Sequence, residues 1–395
     1  MGKISEVYSP VNILYSDRLM KTTSILFAML LAFGSVIAQQ NKTSNYHLLI
    51  GTYANQDKSN GIHVYRFNTD NGSFEEAAKP TPLLNSSYLA ISDDKKNLYA
   101  VGEGGQGSVN AYAFNPADGK LTFLNSVPSE GPCYVSVDNQ KKFVFAGNYG
   151  GGSVVSAPLN VDGSFRTDDV QKIQHEGKSV ITDRQEKPHV HSVVLSPDHR
   201  YLLVPDLGVD KVYQYKIDVS KKDALTPATV PFTTVKPGGG PRHLAFHPNG
   251  KYAYLALELV ADVSVFDYKD GKLDLKQTVT MIEPGFNGKV SAADIHTSPD
   301  GKFLYASNRG DANQIAIYAI GKDGKLSIVG HQSVLGKTPR NFAIDPTGNF
   351  LLAANQNTND IVIFKRDHKT GLLTSTGKKI SVDKPVCLKF VAIEK

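Results

Sequence analysis

The chain has no tryptophan, four methionines and two cysteines among 395 residues, and each scarcity removes a class of protein. Without Trp, the short repeats built on a Trp-Asp dipeptide are set aside. Cys133 and Cys387 are too few for a disulfide framework, and both stand in strand-like apolar runs, so buried thiols are expected. A formal net charge of +5 is too weak at this size to indicate nucleic acid as a partner. No segment keeps a helical period, and neither a dinucleotide fingerprint nor a G-x-S-x-G nucleophile elbow occurs. The glycines of GGGPRH at 238–243 lack the Lys-Ser/Thr ending of a phosphate loop and open no helix, so they read as a crossover between structural units. No cofactor and no covalent acyl intermediate are expected.

Long hydrophobic runs are also missing, with one exception at 25–33, which is too short to span a membrane. It lies within MKTTSILFAMLLAFGSVIA, residues 20–38, behind Lys21 and ahead of the small residues Val36 and Ala38. These are the three parts of a cleaved secretory signal. Met20 is therefore read as the start and 1–19 as upstream reading frame. The mature chain, 39–395, is expected to be exported to the periplasm or beyond, with no cysteine for a lipid anchor and no membrane contact after cleavage.

What is present is a repeat. A strand, a turn of the Ser/His/Asp-Pro-Asp/Asn/Thr-Gly type and an aromatic-rich strand recur as LSPDHRYLLV, FHPNGKYAYL, TSPDGKFLYA and IDPTGNFLLA, with weaker copies ISDDKKNLYA and VDNQKKFVFA. The register places Leu48, Tyr99, Phe145, Leu203, Tyr254, Tyr305 and Leu352 in equivalent positions. Four strands fit each repeat, joined by Asp-Gly-type turns. Seven such sheets predict an all-β, seven-bladed β-propeller of four-stranded antiparallel blades. The first repeat begins one strand short and the chain ends one strand into a repeat, so the C-terminal strand is expected to complete the first blade and close the ring. A closed ring needs no partner to cover its edges, and a monomer is expected.

In a meander blade the start of the first strand and the end of the second lie on one face of the disc. The second strands end at Thr52, Glu103, Tyr149, Leu207, Glu258, Arg309 and Gln356, preceded in four blades by Asn148, Asp206, Asn308 and Asn355. The first strands begin near His191, Arg242 and Arg340, with Asp294 and His296 in the sixth blade. Polar residues at strand ends are usually just solvated. Their concentration in blades four to seven points instead to a pocket for an anion, which a planar guanidinium such as that of Arg242 grips through two bonds. The pair His189 and His191 lacks a clear third ligand, so no metal is expected. The long insertion at 167–191 fits either a lid or a plain solvated loop.

The blocks DRQEKPHVHSVVLSPD, GGGPRHLAFHPNGKYAYLALEL, SAADIHTSPDGKFLYASNRG and KTPRNFAIDPTGNFLLAANQ resemble the seven-bladed propeller lactonase family. That family includes the propeller-type 6-phosphogluconolactonase and the carboxymuconate-lactonising enzyme, and the resemblance runs from His47 to the C-terminus. It implies a central-channel site with His191, Arg242, Glu258 and Arg309 as catalytic residues. Arg340, Asp294 and His296 fit as substrate contacts, and the register adds Asn308, Tyr149 and Gln356. The implied reaction is hydrolysis of an anionic sugar lactone by water, with Glu258 or His191 as base and arginines holding the anion and the oxyanion. A muconate-type cycloisomerase, or a propeller that binds carbohydrate or protein without turnover, stays open as an alternative. The family's phosphogluconolactonase reaction belongs to cytoplasmic metabolism, whereas the leader implies export, so the physiological substrate is left open.

Overall fold

The second strands of the repeats are almost wholly buried, and they lie inside every sheet. In the computed structural model, which describes Gly2, residues 44–53 and residues 61–394, 28 strands assemble into seven four-stranded sheets. All pairings are antiparallel, as in Tyr252–Leu257 against Asp262–Lys269. The leader at 20–38 and the upstream residues, Gly2 apart, lie outside the described residues. Among the described residues no helix is long and apolar enough to cross a membrane.

All seven register residues are fully buried, each burial contributing roughly 1.5–3 kcal/mol. Tyrosine at this position also binds blade to blade. The hydroxyls of Tyr99, Tyr254 and Tyr305 donate to the carbonyls of Gly163, Gly324 and Gly371 at 3.0, 3.1 and 2.7 Å, in each case in an outer hairpin of the next blade. The fourth strands, such as Leu326–Ser333, expose much of their length.

The recurring turn closes on its own side chains. Ser298 Oγ accepts from Phe303 N at 3.0 Å and donates to Asp300 at 2.5 Å. The fourth turn residue needs a left-handed backbone, which glycine adopts without cost. Gly250, Gly301 and Gly348 supply it in three of the strong copies, while His199 in the fourth and Lys95 and Lys141 in the weaker ones take the same conformation.

The ring closes as expected. Pro385–Ala392 pairs with Asn45–Thr52, bringing Leu48 opposite Phe390. The first strand of the fourth blade departs from the pattern, since only Val194–Leu195 is regular strand. Upstream of it the chain keeps one isolated bridge, Val190 to Asp206. The predicted insertion also begins too early: Gln171–Gln174 is the fourth strand of the third blade, which leaves residues 175–188 as the connection.

Candidate active site

Strand ends on one face deliver side chains into a cavity of about 530 Å³ at the mouth of the central channel. Glu258, directly after Tyr252–Leu257, is 4% exposed and is the focus of the charge. Its Oε2 accepts from Arg242 Nε at 2.9 Å and lies 3.2 Å from an Arg309 terminal nitrogen and 3.9 Å from His191 Nε2. Its Oε1 accepts from Arg184 at 2.7 Å. Burial alone would push this carboxyl up, but Arg309, Arg242 and Arg184 outweigh it and hold it down to about 2.

The arginines are themselves fixed. Arg242 begins the first strand of the fifth blade, is 1% exposed, and donates to Ala293 O at 2.5 Å. Arg309 follows Phe303–Asn308 and donates to Ser291 Oγ at 2.8 Å and to the carbonyls of Ser291 and Ala292 at 3.3 and 3.2 Å. Burial and the neighbouring Arg242 push His191 well below the usual histidine range, so the imidazole is neutral at pH 7. Tyr149 lies edge-on to His191 at 5.3 Å and stacks on His189 at 4.4 Å.

A second carboxylate stands on the opposite wall. Glu103 accepts from the Tyr53 hydroxyl at 2.9 and 2.8 Å and from Ser87 Oγ. Arg340 donates to the same Tyr53 oxygen at 2.8 Å, its guanidinium over the Tyr53 ring at 5.0 Å. Among the described residues the Arg340 guanidinium makes no ion pair with a carboxylate. Cys133 lies beneath His191, its Sγ 3.7 Å from Nδ1. Burial pushes that thiol far up, which keeps it protonated and unreactive.

Five expected residues line the cavity, His191, Glu258, Arg309, Arg340 and Tyr149, and Arg242 stands directly behind it on Glu258. The other four do not line it. Asp294 is buried below the cavity, its carboxylate taken by His243 at 2.7 Å, His296 at 2.8 Å and Asn341. Its strand position is simply deeper in the channel than Ser291, which does reach the wall. His296 packs edge-on against Phe342 at 4.9 Å and is committed to Asp294. Asn308 is fully buried and accepts from Ser291 N at 2.9 Å, so it supports the residue that holds Arg309. Gln356 is half-buried outside the wall, and in its blade Arg340 fills the rim.

Arg184, Tyr53 and Ser291 also line or reach the cavity without being marked by the strand register, and Glu103 joins them from a register position. Glu103 stood in the same register as Glu258, so a signal existed; Arg184 sits in an inter-blade connection that no repeat register reaches. His189 and His191 diverge, His189 donating from Nδ1 to Tyr149 O at 2.9 Å and meeting Glu186 at 3.1 Å. Among the described residues no group of three or more His, Cys, Asp or Glu is placed to hold a metal ion. A larger groove of about 740 Å³ lies at the hairpins 140–143, 159–161 and 219–222, where lysines predominate and no carboxylate–guanidinium cluster forms.

A buried carboxylate ringed by guanidinia, with a neutral imidazole beside it, thus stands at the propeller mouth. Residues 47–390 match the family described as Lactonase, 7-bladed beta-propeller, and the chain belongs to that family. It is 38% identical over 348 residues to the 6-phosphogluconolactonase of Bacillus subtilis (strain 168), covering 87% of this chain and 97% of that one. A 6-phosphogluconolactonase of Formosa agariphila is 35% identical over 343 residues, covering 85% and 97%. Among solved structures, the periplasmic gluconolactonase of Pseudomonas aeruginosa superposes with a TM-score of 0.84 at 38% identity, covering 89% of this chain and 100% of that one.

Proposed function

We propose that the chain hydrolyses an anionic sugar lactone of the 6-phosphogluconolactone type by direct attack of water. The observation that carries this reading is the environment of Glu258: one buried, ionised carboxylate facing three guanidinia and the neutral imidazole of His191. The names of the relatives support the same reaction class. Water attacks the lactone carbonyl carbon while Glu258 accepts its proton, and the ring C–O bond then breaks with that proton returned to the departing alkoxide. Arg309 and Arg340, fixed before substrate arrives, stabilise the oxyanion, and positive charge at the mouth holds the substrate's own anionic group. His191 is uncharged at neutral pH, so it contributes a hydrogen bond rather than a further positive charge.

The leader at 20–38, together with the periplasmic naming of the Pseudomonas aeruginosa relative, supports an exported enzyme. The test is hydrolysis of freshly generated 6-phosphogluconolactone by the chain from Gln39, compared with glucono-lactone and with Arg309→Ala. Rapid turnover that the variant loses is expected. Background rates on both lactones would overturn the reading and favour the muconate-type reaction or a binding role.

A further inference from the structure

We propose that Arg184, carried by the connection between the third and fourth blades, receives the substrate's anionic group and in doing so frees Glu258 to act as base. The inference rests on the lactonase reading above and deepens it.

Arg184 differs from the other three pocket arginines in origin and exposure. Arg242, Arg309 and Arg340 come from strands or strand ends. The Arg184 side chain is 38% exposed against 12% for Arg309 and 1% for Arg242, which places it at the mouth. It also caps the one carboxylate oxygen that the others leave open: Oε2 of Glu258 serves Arg242 and Arg309, while Oε1 serves Arg184 at 2.7 Å. Oε1 keeps a lone pair that a water can reach, but while Arg184 pairs with it the carboxylate is held a weak base, and withdrawal of that cation strengthens it.

Arg184 is the cation able to move. Arg242 is tied to Ala293 O, and Arg309 to Ser291 and Ala292. Beyond Glu258, the Arg184 guanidinium has the Tyr149 hydroxyl at 3.5 Å, at the outer limit of a hydrogen bond. The backbone carrying it is held at both ends. Asp206 accepts from His175 Nδ1 at 2.7 Å and from His189 N at 2.7 Å, pinning the two stems of the connection to one buried carboxylate. Gln185 donates to Leu207 O at 2.8 Å and Ser179 to Asp210 at 2.5 Å. The connection is thus a fixed wall rather than a lid, and the motion belongs to one side chain. A phosphate monoester or a carboxylate arriving at the mouth offers the guanidinium two parallel bonds, replacing the bond to Glu258. Ring opening then proceeds with the water proton going to Oε1.

The test compares wild type, Arg184→Gln and Arg184→Lys on 6-phosphogluconolactone, on glucono-lactone and on a lactone bearing a carboxylate, with calorimetric binding of 6-phosphogluconate. Lys187→Gln is the control, since Lys187 stands on the same connection and among the described residues donates to Gly150 O and pairs with no carboxylate. A lost charge-assisted pair predicts that Arg184→Gln raises KM for the phosphorylated lactone about ten- to hundredfold and weakens 6-phosphogluconate binding by a similar factor. The preference for anionic over neutral lactone falls accordingly, and Arg184→Lys recovers part of it. The acid limb of kcat/KM on glucono-lactone shifts to higher pH in Arg184→Gln, because a charge that holds Glu258 down has gone. The carboxylate-bearing lactone distinguishes phosphate from carboxylate as the group received. A preference within about twofold of wild type, or equal losses on all lactones with product affinity unchanged, would overturn the proposal. If wild type hydrolyses none of the lactones, the lactonase reading falls, and 6-phosphogluconate affinity still decides whether Arg184 receives an anion.

Discussion

Glu103 and Glu258 occupy the same place in two repeats, one residue past the second strand, yet they live in different chemistry. Glu258 is 4% exposed and meets guanidinia from three other segments. Glu103 is half-buried and meets two hydroxyls, from Tyr53 and Ser87. Seven-fold repetition supplies equivalent positions around the channel mouth; what each carboxylate can do is set by residues from adjoining blades and from the inserted connection. One acts as the charge centre of the pocket, while the other orients Tyr53, over which Arg340 lies.

The comparison is broken most severely at Glu258. Glu258→Gln keeps the shape but removes the proton acceptor, and kcat should fall by about 10²–10⁴. A loss below about tenfold would transfer the base to His191. Replacing the buried partner comes next. Arg242→Met should destabilise the fold by roughly 3–5 kcal/mol in urea titrations, because Glu258 and the Ala293 carbonyl would stay buried with fewer donors.

Glu103→Gln sharpens the contrast by being mild. With one negative charge gone from the wall, KM for an anionic lactone should fall by roughly two- to fivefold, the worth of one screened charge at short range, with kcat nearly unchanged. A collapse of kcat would make the two carboxylates equal partners and dissolve the distinction.

The smallest effect is on stability against pH. Burial first, and Arg242 next, keep His191 and His243 from protonating, His243 being held down to about 3. The unfolded chain binds those protons near the ordinary histidine value of 6.5. The stability they contribute is therefore complete above about pH 6.5 and is lost as pH falls towards about 3. Glu258 adds its own loss between 4.5 and about 2. Melting temperatures from pH 8 down to pH 4 should decline, and His243→Gln should flatten the slope below 6.5. A slope unchanged in that variant would place the titration elsewhere.

Much of this was written along the chain. The turn chemistry at 196–199, 247–250, 298–301 and 345–348 and the aromatic register residues define the blades, their number and the closure by the C-terminal strand. The same register singled out His191, Arg242, Glu258 and Arg309. It failed where local position and side-chain direction part. Asp294 and His296 sit in a channel-lining strand but below the pocket, in a network with His243 and Asn341. The expected first strand of blade four is regular only at Val194–Leu195, because the connection ahead of it is pinned to Asp206 instead of continuing the ladder.

By itself, then, the sequence determined the propeller and the ring of strand-end residues, since period and alternation are properties of neighbours along the chain. Only the tertiary structure decided which of those residues face one another. Arg184 reaches Glu258 across 74 residues, and Arg340 reaches Tyr53 across 287. Such pairings depend on where blades and connections converge in space, which no local pattern records.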